Sequence, residues 1–149
     1  MDMVIDFPEG YRVDAHFKSF TVRTDQSLKD GGADSAPAPF EIFLASLGTC
    51  AGIYVLSFCR QRNLASEGIR LVQSAQMNPT TGMVEKITMD IQLPADFPAR
   101  YQKAVIRAAD QCKVKKHFEN PPEFEIKTSP SYSSDGFSAN SKSSLSLLD

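Results

Sequence analysis

The hydrophobic positions of this chain change period along its length, and the changes outline its elements. Tyr11, Val13, Ala15 and Phe17 alternate with Arg12, Asp14 and His16, and Phe20 and Val22 carry the alternation past Lys18-Ser19. A period of two is that of a strand with one buried face, so the N-terminal part is predicted to be antiparallel β. Leu28 to Pro39 contains Gly31, Gly32, Pro37 and Pro39 and reads as a loop, with a helix predicted to begin near Pro39. Inside that helix Ala45, Gly48 and Gly52 make a stripe of small side chains at helical spacing, where a second helix is expected to pack closely. Ile69, Leu71, Ala75 and Met77 then run up to Asn78-Pro79-Thr80-Thr81-Gly82, and Ile87, Met89, Ile91 and Leu93 alternate with polar residues after it. The pattern predicts a hairpin with one wet face. Asp96 is placed to cap a second helix whose apolar stripe is Tyr101, Ala104, Val105, Ala108, Ala109 and Cys112. Phe124 and Ile126 suggest a last short strand.

The 18 residues from Ile42 to Cys59 carry no charge and are followed by Arg60 and Arg62. That run meets the minimum length of a membrane span and contains Gly48-x-x-x-Gly52. It also holds Ser46, Thr49 and Ser57, lies in a strand-rich chain, and has no second apolar stretch or interfacial Trp to support it. The expectation is a helix buried on all sides, in a soluble core or an oligomer interface, with no membrane partner. The chain of 149 residues and 16.4 kDa suits one domain, residues 1–128, followed by a tail over 129–149 with nine serines in 21 residues. A hydrophobic content of 42% is enough for a core. Sixteen basic against 18 acidic side chains leave a net charge of −2, with no basic excess to neutralise phosphates, so no nucleic-acid partner is expected. Met1 to Tyr11 has neither a basic flank nor a long apolar stretch, and no signal peptide is expected.

Cys50, Cys59 and Cys112 are an odd count that suits thiols in a reducing, cytoplasmic compartment better than disulfide staples. Cys50 lies among Gly48, Thr49, Ala51 and Gly52, which leave room for a substrate to reach its sulfur. Cys112 adjoins Lys113, Lys115, Lys116 and His117, cations that favour a thiolate, so that patch is either solvated surface or a means of tuning Cys112. Thiols on two helices can form a disulfide if the helices pack with their sulfurs facing. Cys59 is nine residues from Cys50, about 13.5 Å along one helix and on its other side, beyond disulfide reach, and reads as a packing residue. The cysteines and the two histidines, His16 and His117, lack metal-ligand spacing, so neither a metal nor another cofactor is expected. No phosphate-binding glycine loop and no serine-hydrolase elbow occurs. Glu41 stands near a helix N-terminus, where a carboxylate is favourable. It also faces away from Cys50, so a joint role in one site requires a second copy of the helix.

Thr24-Asp25-Gln26, Gly31-Gly32, the run from Ala36 to Cys50 (APAPFEIFLASLGTC) and Cys112-Lys113-Val114 resemble the OsmC/Ohr family of osmotically inducible and organic-hydroperoxide-resistance proteins, over roughly Tyr11 to Thr128. The chain looks nearer the broader OsmC-like branch. The resemblance implies an α+β fold, with antiparallel sheets packed around long central helices in an intertwined homodimer. It implies a thiol peroxidase acting on organic hydroperoxides, with Cys50 as peroxidatic cysteine, Cys112 as resolving cysteine and Glu41 as the active-site glutamate. The assisting arginine is Arg23 or, as the alternative, Arg12. Phe43, Leu47 and Tyr54 line the substrate pocket on this reading, and an external dithiol resets the cysteines. The competing reading is a non-catalytic dimer that binds a small hydrophobic or thiol ligand in the interface pocket.

Overall fold

The computed structural model describes residues 1–130; the serine-rich tail lies, from residue 131 onward, outside the described residues. Three antiparallel strands form the N-terminal sheet in the order β1 (Val4–Asp6), β2 (Val13–Phe17) and β3 (Phe20–Thr24). β2 and β3 are the predicted pair, turning at Lys18, which takes a left-handed φ of 53°. β2 begins at Val13 instead of Tyr11. β1 was not predicted: three residues show no usable alternation, and pairing of Ile5 with Ala15 is what defines it.

The loop that follows is organised by Asp25, which is 1% exposed. Its carboxylate accepts the backbone N–H of Gln26 (2.8 Å), Ala33 (3.2 Å) and Ser35 (3.0 Å) and the Ser35 hydroxyl (2.7 Å). These bonds hold the carboxyl down at about 2, the Ser35 hydroxyl contributing most. Gly32 is needed at the crossing, since a Cβ there would lie 2.0 Å from the Gln26 carbonyl oxygen. The loop delivers the chain to α1 (Pro39–Arg60), which starts at the predicted proline. Glu41 reaches back to accept the Ala38 N–H at 2.9 Å, supplying the cap that the Ala38 side chain cannot.

The predicted hairpin is β4 (Arg70–Met77) and β5 (Val84–Gln92), with Ile87, Met89 and Ile91 turned inward and Lys86, Thr88, Asp90 and Gln92 exposed. A 3-10 turn over Ala99–Tyr101 leads into α2 (Gln102–Ala109), and α3 (Lys113–Glu119) follows. Asp96 lies in the preceding turn and caps neither. The core forms where α1, α2 and the hairpin meet, around Val55, Phe58, Cys59, Phe97 and Val105. Cys59, fully buried there, is a packing residue whose thiol is pushed up by burial. No residue of the N-terminal sheet belongs to this core.

Four expectations require correction. Cys112 does not continue the α2 stripe: the helix ends at Ala109, and Cys112 leaves helical geometry at φ −47°, ψ 119° to become the N-cap of α3. Phe124 and Ile126 form no strand and are 86% and 96% exposed, since among the described residues no strand edge pairs with them. Among the described residues of one chain, no helix packs on the small-residue stripe at Gly48 or Gly52. Gln73 of β4 lies over Gly48, where a Cβ would stand 3.1 Å from its Oε1, and its Nε2 donates to the Leu44 carbonyl at 2.9 Å. Finally, α1 is not buried on all sides within one chain. It is long and apolar enough to cross a membrane, yet only 28% of its most apolar window is buried, and Ile53 is 61% exposed.

Candidate active site

The end of α2 and the start of α3 bring Cys112 under the middle of α1. Cys112 is 1% exposed. Its thiol donates to the Leu47 carbonyl oxygen at 3.7 Å, and its sulfur accepts the Lys115 N–H at 3.4 Å. The half-buried Cys50 faces it one turn further along α1. Burial works against a Cys50 thiolate. The backbone N–H groups of Val114 and Lys113, the Cys112 thiol and the Lys113 charge outweigh burial and hold the Cys50 thiol below its ordinary value. Cys112 moves the opposite way, raised by burial and by the negative charge that Cys50 carries when ionised. The basic patch therefore favours ionisation of Cys50, where the sequence reading has it tune Cys112. The two thiols are thus shifted in opposite directions, Cys50 down and Cys112 up.

Beside Cys112 opens a groove of about 900 Å³ between the N-terminal half of α1, β5, α2 and α3. Phe43, Leu47, Met89, Ile106 and Phe118 supply much of its apolar wall, and the Phe43 and Phe118 rings meet edge to face at 5.4 Å. Its size and lining suit a small apolar molecule. Of the three expected pocket residues, Phe43 and Leu47 line the groove and Tyr54 does not. Glu41 is exposed and caps its own helix. Arg12 is held at Glu9 (3.5 Å) and Asp14 (3.4 Å), and Arg23 is exposed on β3 opposite Asp14. Within one chain the structure thus brings Cys50 beside Cys112, and Cys112 together with Phe43 and Leu47 onto the groove wall, which Cys50 does not line; it leaves Glu41, Arg12 and Arg23 apart from the sulfurs. Sequence reasoning missed that Cys112 caps α3, which a cysteine read as part of the α2 stripe does not reveal.

The OsmC-like protein family model matches residues 31–127. The chain belongs to the OsmC-like family. The match spans Glu41, Cys50 and Cys112 and excludes the N-terminal sheet with both arginines. Among solved structures, a candidate osmotic-stress-induced and detoxification-response protein from Psychrobacter arcticus superposes with a TM-score of 0.66 at 20% identity, covering 76% of this chain and 85% of that one. An OsmC-like protein of unknown function from Vibrio cholerae superposes at 0.56 with 11% identity, covering 77% and 90%. An organic hydroperoxide resistance protein from Legionella pneumophila gives 0.49 at 13% identity, covering 79% and 89%. The first two likenesses show a shared α+β fold of antiparallel sheets and helices. No curated protein matches the chain.

Proposed function

We propose that this OsmC-like chain is a thiol peroxidase for organic hydroperoxides. The observation that carries the reading is the placement of Cys112 under α1 next to Cys50 and on the wall of an apolar groove, with the Cys50 thiol favoured and the Cys112 thiol disfavoured for ionisation. The Cys50 thiolate attacks the terminal oxygen of ROOH; the O–O bond breaks, and the departing alkoxide takes a proton to leave as ROH. Cys50 is now a sulfenic acid. The Cys112 sulfur then attacks the Cys50 sulfur, releasing water and closing a disulfide, and an external dithiol returns both thiols. Keeping Cys112 protonated during the first step preserves it for the second. Phe43 and Leu47 favour an alkyl or aryl R group over hydrogen peroxide.

The working unit on this reading is a homodimer. The uncovered face of α1 and an N-terminal sheet outside the core both offer surface to a second copy. Glu41, with Arg23 or Arg12, would then join Cys50 across that interface. A reducing, cytoplasmic setting suits the three free thiols.

Stopped-flow mixing with cumene hydroperoxide tests the chemistry. Wild type should consume one equivalent and lose two protons by intact mass, with a Cys50–Cys112 bridge in the peptide map. Cys112→Ser should stop at a dimedone-reactive sulfenic acid, and Cys50→Ser should lose at least about 100-fold in rate, as removal of a nucleophile does. Consumption unchanged in Cys50→Ser overturns the proposal. An unchanged mass in wild type favours a binding module, the reading supported by arginines that stand apart from Cys50.

A further inference from the structure

The groove beside Cys112 is longer than a small aryl hydroperoxide needs. Its wall follows β5 from Val84 to Ile91, a run of roughly 23 Å at the rise of a strand. Its volume of about 900 Å³ is near the upper end for a small-molecule site. Cys112 lines this groove where α3 begins under α1. A ligand whose reactive group reaches that sulfur has the rest of its length to lay on apolar surface, and each buried methylene adds to binding.

The charges that border the groove are unevenly divided. Glu85, Asp90, Asp110 and Glu119 supply four carboxylates, and Lys86 and Lys115 two ammonium groups. Lys115 belongs to the same turn as the Cys112 cap, but its Nζ is already paired with Asp110 and, at 3.7 Å, with Glu119. Glu85 and Asp90 are held by neutral amides: Asn78 Nδ2 donates to Glu85, and Gln92 Nε2 donates to Asp90 at 3.2 Å. Those amides position the carboxylates without cancelling their charge. Lys86 is exposed on β5 directly after Glu85. A carboxylate on a ligand therefore meets an acidic border whose best-placed cation is engaged, whereas an uncharged ligand meets no such barrier.

We propose that the groove selects uncharged long-chain hydroperoxides, with the chemistry of an unsaturated fatty-acid ester, and rejects the same chain as a free carboxylate. The apolar wall holds the carbon chain, and the acidic border supplies the discrimination. This rests on the groove being the substrate site of the proposed peroxidase, but the deciding measurement reads binding and not turnover, so either reading can fail alone. The border is solvated, so its effect on a carboxylate is roughly threefold to tenfold in affinity and is weakened by salt.

The test uses the alcohols that turnover leaves, methyl hydroxylinoleate and hydroxylinoleic acid, as competitors that displace the neutral dye Nile red from the reduced full-length protein. Titrations run at about pH 8, where the acid is ionised, and below the concentration at which either ligand aggregates. The ester should bind more tightly than the acid, and added salt should narrow the gap. An ester also partitions more readily than its acid, so the deciding reading is the change between proteins. The double variant Glu85→Gln with Asp90→Gln, both at exposed positions, should bind the acid roughly threefold to tenfold more tightly and the ester as wild type does. Phe43→Ala should weaken both ligands, with circular dichroism confirming that it folds. The proposal is overturned if the double variant leaves acid binding unmoved or shifts both ligands equally, if a folded Phe43→Ala binds as wild type does, or if neither ligand displaces the dye. A protein that discriminates as expected and consumes no hydroperoxide removes only the peroxidase reading.

Discussion

Cys50 and Cys112 are the same side chain, and only their surroundings separate their roles. The start of α3 lowers the Cys50 thiol against its own burial, whereas burial above all raises Cys112, whose sulfur lies at the Leu47 carbonyl. Asp25 shows the same principle in a structural setting. Its carboxyl lies at about 2 instead of 3.8, so the folded state favours the ionised form. The stabilisation is complete above the unfolded value and is lost as pH falls from near 3.8 towards 2. Asp25→Asn should therefore lower the melting temperature at pH 7, and the gap from wild type should close on approaching pH 2; a gap independent of pH would assign the loss to packing. The sequence marked Asp25 only as part of a family resemblance, because three of its four donors come from residues eight and ten positions away.

At the scale of elements, periodicity located α1, the β2–β3 hairpin and the β4–β5 hairpin, since each buries one face against something nearby. It failed where a pattern outlasted its element. The stripe from Tyr101 to Cys112 is continuous in sequence, but the backbone turns out of the helix after Ala109, and that break makes Cys112 the N-cap of α3 and sets its thiol at the Leu47 carbonyl of α1. Phe58 of α1, 8% exposed, shares the core with Val105 of α2, meets Tyr101 of the preceding 3-10 turn edge to face at 5.9 Å and lies under Arg62 at 4.0 Å. Phe58→Ala should cost about 3–5 kcal/mol in urea unfolding, the range for a buried ring replaced by a cavity. A loss below about 1 kcal/mol would mean that the site collapses around the gap or that the core does not depend on this contact.

For the whole molecule, the unresolved balance is apolar surface. One chain leaves Ile53 61% exposed on α1 and Ile5 47% exposed on a sheet that shares no core with the helices. Surface of that kind is characteristic of an interface. Light scattering on a sizing column, run without detergent, should read twice the chain mass of 16.4 kDa. Ile53→Glu should shift the protein towards monomer or aggregate, because a carboxylate on that face would have to be desolvated on association. A wild-type protein that elutes as a well-behaved monomer would remove both the dimer and the route by which Glu41 and an arginine reach Cys50.

Local information was sufficient for the start of α1 at Pro39, the alternation of both hairpins and the packing role of Cys59, since each depends on neighbours within a few turns of chain. The direction of the thiol shifts, the cap made by Cys112, the place of Gln73 over Gly48 and the groove beside Phe43 and Leu47 were decided only by tertiary structure. Those properties arise from groups that lie as many as 65 residues apart, as Leu47 and Cys112 do, and no periodicity encodes where they meet.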